Sequence, residues 1–239
     1  MKVLWLPSID STNSEALRRL PELPSGTVLA AREQTAGRGQ RGNSWFAEPG
    51  KNLTFSLVLK FREGELPASR AHELNYLISC AVVAFLQVCG VQPRVKWPND
   101  IYVGRRKICG ILIENSLGGS SVAASVIGVG VNINQQEFPQ VALATSLCLC
   151  TGREWELEPC LNALLGHFER LLALGASAAR ETYSSLLFQK GVPARYRDLL
   201  REEEFTGIIE DVEPDGRLRV RTASGEERLY RFKEISYIL

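Results

Sequence analysis

A glycine-rich loop from Gln34 to Trp45 holds the residues best suited to chemistry in this 239-residue chain. Its closely spaced glycines leave the backbone N–H groups accessible. The guanidinium groups of Arg38 and Arg41 suit phosphate or carboxylate, and the Trp45 ring suits stacking on a base. The loop lacks the Gly-Lys-Ser/Thr ending of a Walker A motif and the geometry of a G-x-G-x-x-G turn. By itself it fits a solvated hairpin as well as a flap over a nucleotide or acyl phosphate.

The motif Lys-Trp-Pro-Asn-Asp at 96–100 and the strand beginning at Lys107 form a second candidate. Residues two apart in a strand share a face, so Lys107 is predicted to point with Cys109 and Ile111 toward a buried row. A lysine at a pocket mouth stabilises charge that develops on phosphate. A lone hairpin lysine is nevertheless more often solvated. Gly110 permits close approach of a ligand or of another backbone.

Two further stretches are weak when taken singly. Ser11-Thr12-Asn13 stands at a predicted helix start, where an N-cap is the ordinary role. Its hydroxyl and amide groups would also suit a polar, uncharged heterocycle. The glycines of the strand around 128–134 leave room for a ligand or mark a bulge.

The hydrophobic pattern predicts the elements that must position these residues. Thr12 and Glu15 are spaced as a capping box, and Leu53 to Leu59 alternate as in a half-buried strand. Helices mixed with hairpins favour an α+β fold over a doubly wound sheet. The predicted strands are 3–6, 27–32, 53–59, 94–97, 101–103, 107–114 and 121–132, and the predicted helices are 11–20, 67–88, 157–172 and 178–188.

The predicted secondary structure changes after about residue 189. Three short strands, at 205–212, 218–222 and 227–232, are separated by tight turns. Strands spaced this closely predict a small β-barrel appended to the main body. We therefore divide the chain into a catalytic-type domain at 1–188 and a C-terminal barrel at 189–239.

The composition excludes several classes of function. A formal net charge of +1, from 28 Lys+Arg against 27 Asp+Glu, gives no global reason to bind nucleic acid or an acidic membrane. No apolar run approaches the roughly 20 residues of a spanning helix, and the N-terminus turns polar too early for a signal peptide. The six cysteines and two histidines lack zinc-site spacing, so no metal ligand is assigned. We predict reduced thiols in a cytoplasmic protein.

The motifs are specific in combination. Ser-Thr-Asn, Gln-Thr-x-Gly-Arg-Gly-x-x-Gly-x-x-Trp, Lys-Trp-Pro-Asn-Asp, Arg-Lys-x-x-Gly-Ile-Leu-x-Glu and Gly-x-Gly-x-Asn occur in this order and closely resemble the biotin–protein ligase family. The resemblance covers about residues 1–190, and the terminal segment is similar to the family's C-terminal domain. It implies a mixed or antiparallel sheet flanked by helices, like the class II aminoacyl-tRNA synthetase and biotin synthetase catalytic domain, with a small SH3-like β-barrel.

The resemblance also implies the reaction. Such a ligase activates biotin with ATP to biotinyl-5′-AMP and transfers biotin to one lysine of a biotin carboxyl carrier domain of a carboxylase. Mg²⁺ would be held largely by phosphate oxygens. Arg38 would bridge the biotin carboxylate and the α-phosphate, while Lys107 would stabilise the α-phosphate and the leaving AMP. These two are the implied catalytic residues.

Other roles follow from the same motifs. Trp45 would pack against adenine. The remaining biotin-binding residues would be Ser11, Thr12, Asn13, Gln34 and Gly110. The remaining residues of the adenylate site would be Gly37, Gly39, Gln40, Arg41, Asp100 and Asn132.

Two departures from the family pattern matter. The first motif begins at residue 11, so we expect a monofunctional ligase without the helix-turn-helix domain that some members carry, and therefore no DNA binding. Gln40 stands where a second arginine can occur, which predicts faster escape of biotinyl-AMP. Three alternatives stay open: a lipoate–protein ligase of the same fold, a nucleic-acid-binding module built on the loop, and a degenerate structural relative. A homodimer is also left open.

Overall fold

The protein is described by a computed structural model covering residues 1–141 and 143–239, apart from the side chain of Arg41. One sheet has seven strands in the order β1-β2-β3-β7-β6-β5-β4, with β1 and β2 parallel and the other neighbours antiparallel. This arrangement confirms the predicted mixed sheet of an α+β fold. Its strands are β1 (Lys2–Leu6), β2 (Thr27–Ala31), β3 (Leu53–Lys60), β4 (Pro93–Lys96), β5 (Asp100–Val103), β6 (Arg106–Gly118) and β7 (Ser121–Val131).

Helices cover both faces of this sheet. One face packs on the three longer helices and forms the main core, and the other face packs on the short first helix. The predicted start of the second helix at 67 is wrong, because 68–70 form a separate 3₁₀ turn. The short third helix was not predicted. The helices are α1 (Thr12–Arg18), α2 (Glu73–Val88), α3 (Leu147–Thr151), α4 (Leu157–Leu174) and α5 (Ala176–Ser185).

Strand β3 is more deeply buried than its alternating pattern predicts. Leu53 and Phe55 lie on the main-core face with the other odd positions, as expected. Thr54, Ser56 and Val58 on the opposite face are also buried. The half-buried prediction was therefore wrong, because α1 and a polar cleft cover the second face.

The helical stretch 68–88 is long and apolar enough to cross a membrane by composition alone. In the structure, α2 packs against α4, α5 and the sheet, with Ile78, Val82 and Leu86 fully buried. Its apolar character is accounted for by this position in the core.

The C-terminal segment forms a second, antiparallel sheet. Its strands run in the order β11-β10-β9-β8-β12, so the prediction of a small β unit is confirmed, but it has five strands where three were expected. The first and last were missed because they are short and interrupted by charged or polar residues. The strands are β8 (Pro193–Asp198), β9 (Glu203–Val212), β10 (Leu218–Thr222), β11 (Glu227–Tyr230) and β12 (Ile235–Tyr237).

The second sheet docks tightly on the body. Trp97 Nε1 donates to the Gly216 carbonyl at 3.3 Å, and Arg180 Nη1 donates to the Val212 carbonyl at 3.0 Å. Buried side chains such as Phe168 and Tyr196 belong to one continuous hydrophobic core. The predicted boundary at 188/189 falls in the connection between α5 and β8 and stays a prediction.

Candidate active site

A cleft of about 480 Å³ opens where the α1 face of the larger sheet meets the glycine-rich loop and the second sheet. Most of the predicted site residues line it together. Gly37 and Asn132 are not among the lining residues, and the Arg41 side chain lies outside the described part of the structure. The predicted residues that line the cleft are Ser11, Thr12, Asn13, Gln34, Arg38, Gly39, Gln40, Trp45, Asp100, Lys107 and Gly110.

One end of the cleft is a cluster of uncharged polar side chains. Gln34 Oε1 accepts from the backbone N–H of Thr12 at 2.8 Å and from its hydroxyl at 3.1 Å. Ser56 Oγ lies within hydrogen-bond distance of both Thr12 Oγ1 and Asn13 Oδ1. We call Thr12, Asn13, Gln34 and Ser56 the polar cluster. Its members hold one another in place, which orients their remaining donors and acceptors toward the cleft.

The predicted Thr12–Glu15 capping box is wrong for a reason that matters to the site. Ser11 is the N-cap residue, and it makes no side-chain capping bond. The Thr12 hydroxyl bonds to Gln34 and Ser56, so its side chain serves the polar cluster and not the helix end.

Ser56 is fully buried behind the residues that line the cleft, where it bonds to Thr12 and Asn13, and this supporting role was not predicted. Its only sequence signal is a hydroxyl on the face of β3 opposite the apolar residues, and that signal is weak. Gly128 lies next to Ser56 in register on β7. A Cβ at Gly128 would lie 2.2 Å from Asn13 Oδ1, so the strand needs glycine there to admit the asparagine.

Arg38 is held at the cleft wall by a carboxylate. Its guanidinium pairs in bidentate fashion with Glu114, at 2.8 Å from Nη2 to Oε1 and 3.1 Å from Nη1 to Oε2. Asn13 Nδ2 donates to the same carboxylate at 2.9 Å. The Arg38 side chain is 41% exposed, so the pair is reachable by solvent and by ligand. An anionic ligand that takes Arg38 must replace Glu114 as its partner.

Lys107 lies farther along the cleft, in an ion pair with Asp100. The distance between Lys107 Nζ and Asp100 Oδ1 is 2.6 Å, and each side chain is about one-quarter exposed, at 26% and 24%. The structure therefore brings these two predicted residues into direct contact.

The predicted facing of Lys107 is wrong because β6 contains a bulge. The register with β5 shifts at Ile108, so Lys107 pairs with Tyr102 while Cys109 pairs with the next residue, Ile101. Lys107 consequently lies on the cleft face with Gly110, whereas Cys109 and Ile111 lie on the core side. Without the bulge, Lys107 would point away from the cleft.

Trp45 lies on a pair of glycines. Gly110 and Gly130 are directly opposite each other on β6 and β7, and Cβ atoms there would come within 3.0 Å and 2.3 Å of the indole. Lys107 Nζ is 5.8 Å from the centre of the ring. Trp45 Nε1 is buried against the backbone of Gly130 and has no hydrogen-bond partner among the described residues.

The turn between β4 and β5 fixes Asp100. Asn75 Nδ2 and the Tyr183 hydroxyl both donate to the Pro98 carbonyl. Asn99 exchanges hydrogen bonds with the backbone of Ile111 on β6. These contacts explain why the Lys-Trp-Pro-Asn-Asp sequence is a single structural unit: Asp100 is the residue it delivers to the cleft.

Asn132 does not line the cleft, but it is linked to Lys107 through one intervening residue. Its Nδ2 donates to the Thr145 carbonyl at 3.0 Å, and the Thr145 N–H donates to the Lys107 carbonyl at 2.9 Å. Asn132 therefore braces the segment that pairs with the backbone of Lys107. Its Oδ1 is buried and has no partner in the described part of the chain.

The second sheet closes one side of the cleft, which sequence reasoning missed. Phe232, Lys233 and Tyr237 line it, and Lys96 of β4 lies beneath Tyr237. Burial lowers the pKa of Lys96, the Asp100 carboxylate raises it, and the Lys107 ammonium lowers it further. No motif within 189–239 marks these residues as part of a site.

Neither histidine lines the cleft, and the thiol nearest to it is inert. His72 contacts the Pro214 carbonyl and His167 contacts Arg170. Complete burial raises the pKa of Cys109 far above that of a free thiol. Within residues 1–141 and 143–239, no group of three or more His, Cys, Asp or Glu side chains is arranged to hold a metal ion. The arrangement is suited to binding and charge stabilisation.

Comparisons with known proteins agree with this arrangement. Residues 5–132 match the biotin/lipoate A/B protein ligase family model, and residues 198–233 match the model of the biotin protein ligase C-terminal domain. The biotin--[acetyl-CoA-carboxylase] ligase of Paracoccus denitrificans is 32% identical over 234 residues, covering 93% of this chain and 95% of that protein. The bifunctional ligase/repressor BirA of Bacillus spizizenii is 30% identical over 216 residues, covering 87% of this chain but only 65% of that relative.

Among solved structures, a biotin protein ligase from Aquifex aeolicus in complex with biotin and ATP superposes with a TM-score of 0.81. It is 26% identical to this chain, and the match covers 98% of this chain and 97% of that one. The similarity extends over both sheets.

Proposed function

The chain belongs to the biotin/lipoate A/B protein ligase family, and from that premise we propose that it is an ATP-dependent biotin–protein ligase. The single observation that carries the proposal is the layout of the cleft. A buried cluster of uncharged polar groups lies beside Arg38, and Lys107 follows farther along. This order matches a small acid with a polar, uncharged head, whose carboxylate is joined to a nucleotide.

The polar cluster would bind the ureido ring of biotin. That ring presents two N–H donors and one carbonyl acceptor, and hydroxyl and amide groups can pair with both kinds. Thr12, Asn13, Gln34 and Ser56 are held in position by their mutual bonds, so little ordering is needed on binding. Ser11 and Gly110 complete the walls of the same cleft.

In the first half-reaction a biotin carboxylate oxygen attacks the α-phosphorus of ATP. The bond from that phosphorus to the bridging oxygen breaks, and pyrophosphate leaves with the electron pair. Arg38, released from Glu114, would bind the carboxylate and the α-phosphate and hold the reacting atoms together. Lys107, held by Asp100, would stabilise the charge that develops on the α-phosphate.

The glycine-rich loop would retain the adenylate. Trp45 would meet the adenine, and Gly37, Gly39, Gln40 and Arg41 belong to the same loop. Gly37 allows the loop to fold, because a Cβ there would lie 2.3 Å from the Trp45 carbonyl. Asn132 would act only by bracing the segment beside Lys107.

Mg²⁺ would accompany the triphosphate and neutralise its charge. At the phosphate end of the cleft, Asp100 is a carboxylate but already pairs with Lys107. This donor set fits an ion held mainly by phosphate oxygens and water, which is the usual state of Mg²⁺ at nucleotides.

In the second half-reaction the neutral amine of an acceptor lysine attacks the biotinyl carbonyl carbon, and the bond from that carbon to the phosphate oxygen breaks. AMP leaves with the electron pair, and the nitrogen of the new amide loses a proton to water. The acceptor would be a biotin carboxyl carrier domain of a carboxylase. Since Lys107 would still face the phosphate of the leaving AMP, it would serve both half-reactions. The chain needs no nucleophile of its own, in keeping with the inert thiol of Cys109.

Lipoate is the nearest alternative substrate, since the family model includes ligases for both acids. The polar cluster favours biotin, because the dithiolane ring of lipoate has no N–H or carbonyl group to pair with hydroxyl and amide groups at that end of the cleft. A nucleic-acid partner is disfavoured by the net charge of +1.

We further propose a cytoplasmic enzyme without DNA or membrane partners. All six cysteines are free thiols, as in reducing compartments. A homodimer stays a proposal, and β1 is an end strand of the larger sheet that a second copy could pair with. The molar mass in solution tests it.

The test is direct. The purified chain is incubated with ATP, Mg²⁺, biotin and a carrier domain, and protein-bound biotin is detected on the carrier. Parallel reactions replace biotin with lipoate or the acceptor lysine with arginine. We expect labelling with biotin alone, and only on the intact acceptor. Lipoate transfer in place of biotin transfer would refute the proposal.

A further inference from the structure

Lys96, at the end of β4, is a cleft-lining cation to which the reaction above gives no role. It lies opposite Asp100 in the β4–β5 pairing. Its Nζ is 5.1 Å from the ring centroids of both Tyr102 and Tyr237. A lysine of β4 is thus placed between an aromatic ring of the larger sheet and one of the C-terminal sheet.

The carboxylate that lies beside Lys96 in the strand register is already paired with another lysine. Asp100, the neighbouring carboxylate, is 2.6 Å from Lys107 Nζ. Across 1–141 and 143–239, Lys96 makes no ion pair and no side-chain hydrogen bond. A half-buried ammonium without an acceptor is costly, and two aromatic faces offset only part of that cost. Its N–H donors are therefore available to a ligand in the cleft.

The strand order indicates which part of a bound ligand Lys96 would contact. The polar cluster lies by β3 and β7, Lys107 is on β6, and Lys96 is on β4, two strands beyond Lys107. Neighbouring strands are about 4.8 Å apart, so β4 lies roughly 10 Å past β6. If the α-phosphate is at Lys107, the triphosphate can extend across Asp100 to Lys96.

We propose that Lys96 binds the β- and γ-phosphates of the nucleoside triphosphate and the pyrophosphate that leaves, and that Tyr237 of the C-terminal sheet positions it. This inference rests on the proposed function. Lys96 takes part in no bond change: the electron pair of the broken P–O bond stays on the pyrophosphate, whose charge the ammonium stabilises.

Tyr237 is held firmly enough to act as a positioning residue. Its ring meets Tyr196 edge-on at 5.4 Å between centroids and Phe188 at 6.2 Å. The ring therefore has a fixed place over Lys96, which gives β12 a role in the nucleotide half-reaction.

Substitutions of Lys96 and Lys107 should differ in which half-reaction they slow. Biotinyl-AMP lacks β- and γ-phosphates, so Lys96→Met should weaken ATP binding about ten-fold or more, by the loss of a charge-assisted contact. It should leave biotin affinity and transfer from added biotinyl-AMP unchanged. Lys107→Met should slow both half-reactions. Arg94→Met is the matched control, because Arg94 is an exposed cation on the same strand, two residues away.

Two outcomes for Lys96→Met would overturn the inference: unchanged ATP affinity, or a loss of transfer from biotinyl-AMP equal to the loss of adenylation. If the wild-type chain itself forms no biotinyl-AMP, the proposed function fails instead. The two failures are therefore distinguishable.

The pH dependence of ATP binding provides a second readout. Because burial lowers the pKa of Lys96, its charge is present below that pKa and lost as pH rises through it. The charged and titratable groups around it are Asp100, Lys107, Tyr102 and Tyr237. Burial raises the pKa of Tyr102 to about 12 and raises the pKa of Tyr237 well above its usual value. The KM for ATP should rise on the alkaline side in the wild type and much less in Lys96→Arg. Identical profiles would contradict the assignment.

Tyr237 is tested by keeping or removing its ring. Tyr237→Phe should bind ATP as the wild type does, whereas Tyr237→Met fills the space without a π face and should weaken ATP binding alone. In the Lys96→Met background, Tyr237→Met should have little further effect on ATP binding. Additive losses would refute the positioning role. Circular dichroism checks that each variant is folded. If Tyr237→Phe weakens ATP binding as much as Tyr237→Met does, the role of the ring is refuted as well.

Discussion

Gly128→Ala is the most demanding test of the polar cluster. Gly128 is in β7, between β3 and β6, so its backbone is held on both sides. The added Cβ would lie 2.2 Å from Asn13 Oδ1, more than 1 Å inside an ordinary contact. Because the strand is fixed, Asn13 must rotate away.

The cost follows from the bonds that Asn13 would lose. Its amide joins Ser56 Oγ, the Glu114 carboxylate at 2.9 Å and, more weakly, the Leu112 carbonyl at 3.3 Å. A neutral bond contributes about 1 kcal/mol and one to a charged group about 2 kcal/mol, so the loss of all three should lower the free energy of unfolding by about 3–4 kcal/mol. Biotin should bind about ten-fold more weakly, because one ureido contact is lost.

Urea unfolding and titration calorimetry with biotin measure the two effects. Gly118→Ala is the matched control, since a Cβ there would lie 3.5 Å from that of Ala123, an ordinary contact. The control should change neither quantity. If Gly128→Ala unfolds at the wild-type urea concentration and binds biotin with wild-type affinity, the polar cluster is not the biotin site.

Three further substitutions probe the phosphate end of the cleft, the glycine-rich loop and the helical core. Lys107→Ala should keep the fold and most biotin binding but slow adenylate formation about 100-fold or more, as measured by quenched flow; full activity would refute its role. Gln40→Arg adds a cation to the cleft wall and should slow dissociation of biotinyl-AMP, and equal off-rates would contradict this. Gly166→Ala, in the interior of α4 with its nearest new contact at 3.8 Å, should stabilise the fold by about 1 kcal/mol in urea unfolding without changing activity. A lower unfolding midpoint would show that α4 does not tolerate the methyl group.

The sequence was informative where chemistry and local pattern coincide. The motifs around Arg38, Asp100 and Lys107 led to residues that the structure gathers in one cleft. Alternation in β3 likewise predicted its core face correctly. Such signals are short-range, and neighbouring residues are enough to reveal them.

The misses arise from long-range effects. The bulge at Ile108 depends on register with β5, so period-two reasoning placed Lys107 on the wrong face. Thr12 looks like a capping residue until Gln34, 22 positions away, is seen to bond it. Tyr237 enters the cleft only because the second sheet docks on the body, a contact that local pattern does not encode.

Biotin-dependent exchange of labelled pyrophosphate into ATP measures adenylate formation in this cleft separately from recognition of the acceptor domain. The wild-type chain should catalyse exchange with Mg²⁺ and biotin, not with lipoate, and Lys107→Ala should reduce it sharply. Exchange that proceeds equally with lipoate, or that is absent while ATP is cleaved to ADP, would contradict the assignment of this cleft to biotin activation.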